Sequence, residues 1–435
     1  MNRLTLLRFL TIALAFVMIA SACGGAAEPA EPAEPANQAE PAEPAEPAAT
    51  EAPAMTEAPA QSGGLQIPDV VDGQFNVAWV LIGPHDDGGW SQAHYEGLVY
   101  VGDNVANVHT AYIENVPEGA DSEQVFRSLA RKGFNLIFGT SFGYMDPMET
   151  VADEFPETTF IHISGYKANG TNFGNLFGAM EDMKYLAGMV AGSRAKTDGN
   201  PKLGYMATFP IPEELRLGNA FMLGAKKTCP DCTMDVRWIN TWHDPVAEKD
   251  AAASLFDAGA QVVLTGADTP AVADVAQEKG TWGITYDYVG SCKVEHCLTT
   301  IYWNWGPVYA NIAQGVIDGT YTPGFDYFDA DSGSLGIFGF MEGQSMTTGE
   351  ADLPAEDIQM VKDTLAKMLA GEFTRFDVFA GPVMDNKGNV VVPDGEKMVQ
   401  ADLDQFPPGA PGLECKYCMY WWADGITAEL PSLSQ

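Results

Sequence analysis

Short apolar runs of strand length alternate with longer segments whose apolar residues recur on one side, a pattern that predicts a mixed α/β chain. Phe75 to Ile82 is a mostly apolar run, after which Ala93, Leu98 and Val101 fit one side of a helix. Val105 to Ile113 reads as a second strand and Asp121 to Lys132 as a helix carrying Val125, Leu129 and Ala130. Gly133 to Gly139 and Thr159 to Ile163 read as strands, with a helix ending at Glu154 between them. Lys184 to Lys196 is helical and rich in small residues (Ala187, Gly188, Ala191, Gly192), which suits packing between layers. The composition breaks at Gly199-Asn-Pro201, and the alternation starts again. Lys202 to Met206, Asp235 to Asn240, Val262 to Thr265 and Thr281 to Tyr286 read as strands. Ile211 to Thr228, Lys249 to Ala258 and Ala271 to Lys279 supply a turn and the helices between them.

Two successive βα arrays predict two similar lobes, each a mostly parallel sheet flanked by helices. The expected boundaries are 67–198 for lobe 1 and 199–297 for lobe 2. Segment 298–330, opening with a strand Leu298 to Tyr302, is expected to return to lobe 1. Segment 331–375 is expected to return to lobe 2 and the hinge, with a strand near Gly336 to Phe340 and a helix Asp357 to Ala370. Residues 376–435, with Gly-, Pro- and Asp-rich turns, read as a β-poor appendage.

The first 66 residues follow a different pattern. Arg3 and Arg8, the apolar stretch Phe9 to Ile19, and Ala20-Ser-Ala before Cys23 resemble a bacterial lipoprotein leader (1–22) with lipidation expected at Cys23. Segment 23–66 repeats Glu-Pro-Ala; regular proline and scarce bulky apolar groups predict an extended tether. No other run reaches the roughly 18 apolar residues of a spanning helix. The expected location is the outer face of the cell membrane, held by lipid only. The formal charge is −36, and about −30 remains on the folded body once leader and tether are set aside. Such an acidic body excludes a nucleic-acid surface.

Six cysteines beyond Cys23 fall in close pairs: Cys229 with Cys232, Cys292 with Cys297, Cys415 with Cys418. In an exported chain these predict disulfides, and local pairing is the simplest connectivity. A zinc site from the two Cys-x-x-Cys pairs and a redox role for Cys229-Pro-Asp-Cys232 are the competing readings. His85, His94 and His243 are scattered, and neither a metal nor a cofactor is expected.

The candidate chemistry sits where strands end, which is where open α/β folds bind ligands. The first strand runs into Gly83-Pro-His-Asp-Asp-Gly-Gly-Trp90, placing an indole beside Asp86 and Asp87. Later strand ends carry Phe142 and Asp146, Phe209-Pro-Ile-Pro212, Asn240-Thr-Trp242-His-Asp-Pro245, Gly266-Ala-Asp268-Thr-Pro270, Tyr286-Asp287-Tyr288 and Tyr302-Trp303-Asn-Trp-Gly306. Aromatic faces beside carboxylates suit a purine, which stacks on the rings and donates N–H groups to the acids. Two carboxylates at the first corner would repel a phosphate. Some of these residues also have bland readings. Asp87 could cap the following helix, Asp146 and Asp244 could be helix caps before proline, and Asp268 could be either cap or acceptor.

Together, Asp87-Gly-Gly-Trp90, Gly139-Thr-Ser-Phe-Gly-Tyr-Met-Asp146, Phe209-Pro-Ile-Pro-Glu-Glu, Asn240-Thr-Trp-His-Asp-Pro, Asp268-Thr-Pro270 and Trp303-Asn-Trp-Gly-Pro307 resemble the basic membrane protein (BMP) family of substrate-binding lipoproteins. The likeness runs from about Phe75 to Gly425, through Trp421-Trp-Ala-Asp-Gly425. It implies a periplasmic-binding-protein fold of type I with three hinge crossovers. It also implies a monomeric, non-enzymatic receptor that captures a purine between its lobes and hands it to an ABC permease with its ATPase. By the resemblance Trp90 stacks on the base, Asp87 and Asp146 contact it, and Asp287 stands where relatives contact a ribose. Trp303 replaces the relatives' lysine, and Leu217 replaces a second stacking phenylalanine, for which Phe209 or Trp242 could substitute. An indole at 303 would shrink the pocket, so an adenine-like base is expected ahead of a nucleoside. The alternatives are a surface sensor or adhesin with the same ligand, or a nucleoside-processing enzyme.

Overall fold

The computed structural model describes residues 66–432 of the 435-residue chain. The first sheet is laid down by β1 (Phe75–Leu81), β2 (Val108–Ile113), β3 (Leu136–Thr140), β4 (Thr159–Ile163) and β5 (Phe173–Gly178). Helices α1 (Trp90–Asn104), α2 (Ala120–Lys132) and α3 (Met145–Glu154) connect its strands. Then α4 (Met180–Thr197) leads to a second array: β6 (Lys202–Ala207), α5 (Pro212–Thr228), β7 (Thr233–Trp238), α6 (Pro245–Asp257), β8 (Val262–Thr265), α7 (Ala271–Lys279), β9 (Trp282–Asp287) and β10 (Cys297–Trp303). The chain returns through α8 (Trp305–Ile317) and β11 (Phe325–Phe328), then through β12 (Leu335–Ile337), and continues into α9 (Thr348–Ala351) and α10 (Ala355–Leu369).

The sheets have orders β11-β5-β4-β3-β1-β2 and β12-β10-β9-β8-β6-β7, the same plan written twice. All pairings in them are parallel except that of β12 with β10. Strands covered by helices on both faces need apolar residues on both faces, which is why Val77 to Leu81 and Leu136 to Thr140 are continuous buried runs. The duplication reaches the backbone. Asn115 and Asn240, each two residues past its strand, have φ of 57° and 54°. Ser164 just past β4 and Asp287 at the end of β9 have φ of 72° and 70°. Left-handed backbone at a side chain other than glycine is uncommon, and its recurrence at equivalent strand ends marks both corners as shaped by function.

The chain passes between sheets three times: after β5, after β10 and after β11. This moves two expected boundaries. Helix α4 packs on α5, β10, β12 and α10, so lobe 1 hands over near Gly178 rather than at 198. The strand beginning near Leu298 stays in the second sheet, and the return to lobe 1 begins with α8, which packs on α1. The small residues of α4 do what their sizes suggested. A Cβ on Gly188 would lie 2.0 Å from the Phe221 carbonyl oxygen, so α4 and α5 touch backbone to backbone. Strands β5 and β11 carried no sequence signal of their own. The run Phe173-Gly-Asn-Leu-Phe-Gly178 holds two glycines and an asparagine, which disfavour a strand, yet the fold buries the whole segment.

Residues 376–432, read as a β-poor appendage, form only strands of two or three residues and pack on lobe 2. Asn219 of α5 donates to the Trp421 carbonyl (2.8 Å) and accepts from the Ala423 N–H (2.8 Å), while Trp422 is buried against Trp238 of β7. The structure pairs Cys229–Cys232, Cys292–Cys297 and Cys415–Cys418, each locally, rather than gathering thiolates for zinc. The leader 1–22, Cys23 and the tether through residue 65 lie outside the described residues. Among the described residues no helix is long and apolar enough to cross a membrane.

Candidate functional site

The segments that follow β1, β3, β4, β6, β7 and β8, with the end of β9, line one cleft. Lobe 1 supplies Ile82 after β1, Trp90 at the start of α1, Ser141 and Phe142 after β3, and Ser164 after β4. Lobe 2 supplies Glu213 and Glu214 from the first turn of α5, Trp242, Gly266, Asp268, and Tyr286 with Asp287 ending β9. The cleft encloses about 380 Å³ counting its mouth, and the lobes are drawn closely together over it.

Trp90 is held rigidly. Its Nε1 donates to the Thr140 carbonyl (2.7 Å), and His94, Trp303 and Trp305 meet it nearly perpendicular, at 4.3, 6.0 and 6.0 Å between ring centres. Edge-to-face packing of this kind fixes an indole without covering its faces from both sides. Across the cleft Trp242 packs on Phe209 at 4.9 Å, and the two rings are inclined by 58°. Of the two candidates for the missing second aromatic, Trp242 lines the cleft and Phe209 packs against it without lining the cleft.

The polar edge is acidic. Glu214 accepts from the Tyr205 hydroxyl (2.8 Å) and the Thr208 N–H (2.9 Å), in space that Gly266 leaves open. Asp287 accepts from Trp303 Nε1 (2.8 Å). Asp268 Oδ2 and the Tyr286 hydroxyl are buried with no hydrogen-bond partner among the described residues. A buried unpaired polar atom is costly, and at a cleft wall it is satisfied by a ligand. Beneath the floor, Lys184 of α4 donates to the Thr265 carbonyl (3.0 Å), with its ammonium 3.5 Å from the centre of the Tyr286 ring.

Burial raises every one of these acids. It pushes Glu213 to about 8, and holds Asp268 and Asp287 well above the carboxylate range. The adjacent acids Asp87 and Asp287 raise Asp268 further, while Lys184 opposes the rise at Asp287. Burial likewise lifts Glu214 and lowers Lys184. Burial thus favours the neutral forms of these carboxyls and opposes the charge on Lys184, while the acidic lining still offers nothing that would hold a phosphate.

The structure corrects five of the expected contacts. Asp87 caps α1: its carboxylate accepts from the N–H groups of Gly89 (2.8 Å), Ser91 (2.9 Å) and Gln92 (3.0 Å). Asp146 lies in the first turn of α3, largely exposed and paired with Lys167 at 2.9 Å. Asn240 is exposed past the end of β7, because that strand begins and ends two residues earlier than its pattern suggested. Phe209 packs on Trp242 without lining the cleft. Trp303 turns its Nε1 to Asp287 and stacks on Trp305 at 4.7 Å, so it positions an acid instead of narrowing the cleft. Asp244 is a helix cap, accepting from Val246 and Ala247 N–H with Pro245 in the first turn, and Asp268 is not one. Asp87, His243 and Asp268 bring one ligand atom each within 4.8 Å of one another. Asp87 is already committed to three backbone donors, so this trio is a poor metal cage. Glu213, Glu214, Ser141, Ser164 and Lys184 are the site residues that sequence reasoning did not single out.

The lobes touch beside Trp90. A Cβ on Gly89 would lie 1.8 Å from the Asp268 carbonyl oxygen, and one on Gly88 3.0 Å from the Pro270 ring. The Gly-Gly pair thus lets the α1 corner close directly on the β8 loop.

A family model described as ABC transporter substrate-binding protein, PnrA-like (Bmp), matches residues 75–359. A purine-binding protein of Brucella abortus is 34% identical over 331 residues, covering 74% of this chain and 88% of that protein. A putative ABC transporter glucose-binding protein of Haloferax volcanii is 37% identical over 247 residues, 57% of this chain and 62% of that protein. In fold the chain is similar to an ABC transporter solute-binding protein from Aeropyrum pernix, with TM-score 0.58 and 17% identity over 68% of this chain and 92% of that one. It is also similar to one from Conexibacter woesei, with TM-score 0.54 and 21% identity over 68% and 97%.

Proposed function

Because the chain belongs to the Bmp family of PnrA-like ABC transporter substrate-binding proteins, we propose that its cleft binds a purine and releases it to an ABC permease and its ATPase. The observation that carries this is the meeting of Trp90 and Phe142 from one lobe with Trp242 from the other, beside Asp268 and Tyr286, whose polar atoms are unpartnered. Opposed aromatic faces suit a flat two-ring heterocycle, and the acids accept its ring and amino N–H groups. The relative from Brucella, named as purine-binding, supports the reading. In this reading Asp268 and Asp287 accept from the ring edge and Lys184 offsets the charge they take on. Lobe closure brings both aromatic walls onto the ligand, and the differential affinity of the closed form drives the motion.

Cys23 would carry the lipid that holds the receptor at the outer face of the membrane, with 23–66 as its tether. The receptor works as a monomer and performs no chemistry on its ligand. The Haloferax relative, named for glucose, makes a hexose the second reading. A sugar stacks on one ring and surrounds its rim with hydrogen bonds, whereas this cleft brings aromatic faces from both lobes. Calorimetric titration of the folded body with adenine, adenosine, guanosine, hypoxanthine and glucose tests this. Heat from a purine at micromolar concentration supports the proposal. Binding of glucose without any purine refutes it. Release of free base from inosine would refute the non-enzymatic part.

A further inference from the structure

Apart from the cleft, a groove of about 700 Å³ counting its open side lies where β10 runs into α8. Both lobes build it. Glu96 and Tyr100 come from α1, Tyr288 from the loop after β9, and Tyr302 from β10. None of these four lines the cleft. Trp303 stands between the two spaces: it lines the groove, while its Nε1 donates to Asp287 of the cleft (2.8 Å).

The three tyrosines are fixed in place, each against a glycine. A Cβ on Gly306 would lie 2.5 Å from Tyr100 Cγ, one on Gly290 2.6 Å from Tyr288 Cε1, and one on Gly336 would collide with the Tyr302 ring. The Tyr302 hydroxyl accepts from Gln344 Nε2 (3.0 Å). The Tyr288 carbonyl accepts from the Ser291 N–H (3.1 Å) and hydroxyl (2.7 Å), and the Cys292–Cys297 bridge closes the loop that follows. Fixed as they are, the rings stay open to solvent. Tyr100 is 39% exposed, and Tyr288 and Tyr302 are half-buried. A cluster of exposed aromatics across two lobes marks a place where something binds.

The charge in the groove is of one sign. Burial raises the Tyr288 hydroxyl above its usual range and Glu96 adds to the rise, so the Glu96 carboxylate faces that ring. Among the described residues Glu96 has no hydrogen-bond or ion-pair partner, and no lysine or arginine stands in the groove's walls. Aromatic faces are negative, and an unneutralised carboxylate adds to that. An anion would be repelled, and a neutral apolar group would gain nothing from Glu96. A cation with an apolar surface is attracted by the rings and by the acid, and it gives up little hydration to reach them.

We propose that this groove binds a small organic cation of the quaternary-ammonium class among Tyr100, Tyr288 and Tyr302, with Glu96 as its counter-charge. The site is independent of what the cleft binds.

The test is calorimetric titration of the folded body with choline and with 3,3-dimethyl-1-butanol, which has the same shape without the charge. Ionic strength is matched throughout, and wild type is compared with Tyr100→Ala and Glu96→Gln. Both substituted side chains are exposed, and circular dichroism confirms that each variant is folded. The expected result is saturable choline binding at one site per chain, with the neutral alcohol at least tenfold weaker. Tyr100→Ala weakens choline by about fivefold and Glu96→Gln by about threefold, and saturating adenine does not abolish the binding. Equal affinity for the neutral alcohol would reduce the groove to an apolar surface and overturn the proposal. So would choline binding that adenine abolishes, which would place the cation in the cleft. Binding that does not saturate, that ignores both substitutions, or that is absent also overturns it. None of these outcomes bears on the purine reading, which the adenine titration alone decides.

Discussion

Gly89→Ala tests lobe closure without touching a ligand contact. The added Cβ would sit 1.8 Å from the Asp268 carbonyl oxygen and 2.5 Å from its carbon, both backbone atoms that cannot rotate aside. Carbon atoms rest at about 3.5–4.0 Å, so the α1 corner and the β8 loop must part by roughly 1.5 Å. Overpacking of this kind costs about 1–3 kcal/mol. Only the closed form bears it, because Gly89 and Asp268 belong to different lobes. At 1.4 kcal/mol per factor of ten, the dissociation constant for a purine should rise by about 5- to 150-fold. Calorimetry reads the affinity, and small-angle scattering shows whether the ligand still contracts the molecule. Ligand-free stability and tryptophan emission should stay close to wild type, which separates a blocked closure from a disturbed corner. Affinity within twofold of wild type, with contraction intact, would refute the reasoning.

Trp90→Ala and Trp242→Ala remove one aromatic wall from each lobe; each should weaken purine binding by about 1–3 kcal/mol, read by the same titration. Glu213→Gln addresses pH. The folded protein keeps this proton up to about 8 while the unfolded chain releases it near 4.5, so wild-type stability falls as pH rises through that window. The variant should gain on the order of 2 kcal/mol over wild type at pH 8 in denaturant titration and nothing at pH 4. Equal stability at pH 8 would contradict the raised pKa of that half-buried acid. Lys184→Met leaves the buried Thr265 carbonyl without its donor, which should cost about 1–3 kcal/mol of stability at neutral pH. A variant as stable as wild type would contradict the weight given to that contact.

Much of the architecture was legible because parallel strands between helices must be apolar on both faces. Val262 to Thr265, Thr159 to Ile163 and the helix Ala271–Lys279 could be read directly. Where a strand was built from glycine and asparagine, as in β5, the burial that makes it a strand came from neighbours far along the chain. The crossings were misplaced for a related reason. Nothing within α4 says which sheet it covers, and its contacts with α5 are fixed only when both helices are in place.

At the site, aromatic residues at strand ends were easy to find, but which polar groups face inward depends on backbone turns. Asn240 and Asp287 both have positive φ, yet one points to solvent and the other into the cleft. Glu213 and Glu214 escaped notice because acids in a first helical turn after proline are an ordinary helix start. Lys184 offered a fainter clue. Glu181, Asp182 and Lys184 lie in a helix apolar on all sides, where charge is buried and needs a reason.

The central claim is that a flat, N–H-bearing heterocycle is held between Trp90 and Trp242 against acidic groups. Isothermal titration with adenine and glucose in parallel, on wild type and on Trp90→Ala, measures it most directly. The account predicts saturable adenine binding with one site per chain, weakened at least fivefold in the variant, and no heat from glucose. Saturable glucose binding with none for adenine, or adenine binding indifferent to Trp90, would contradict it.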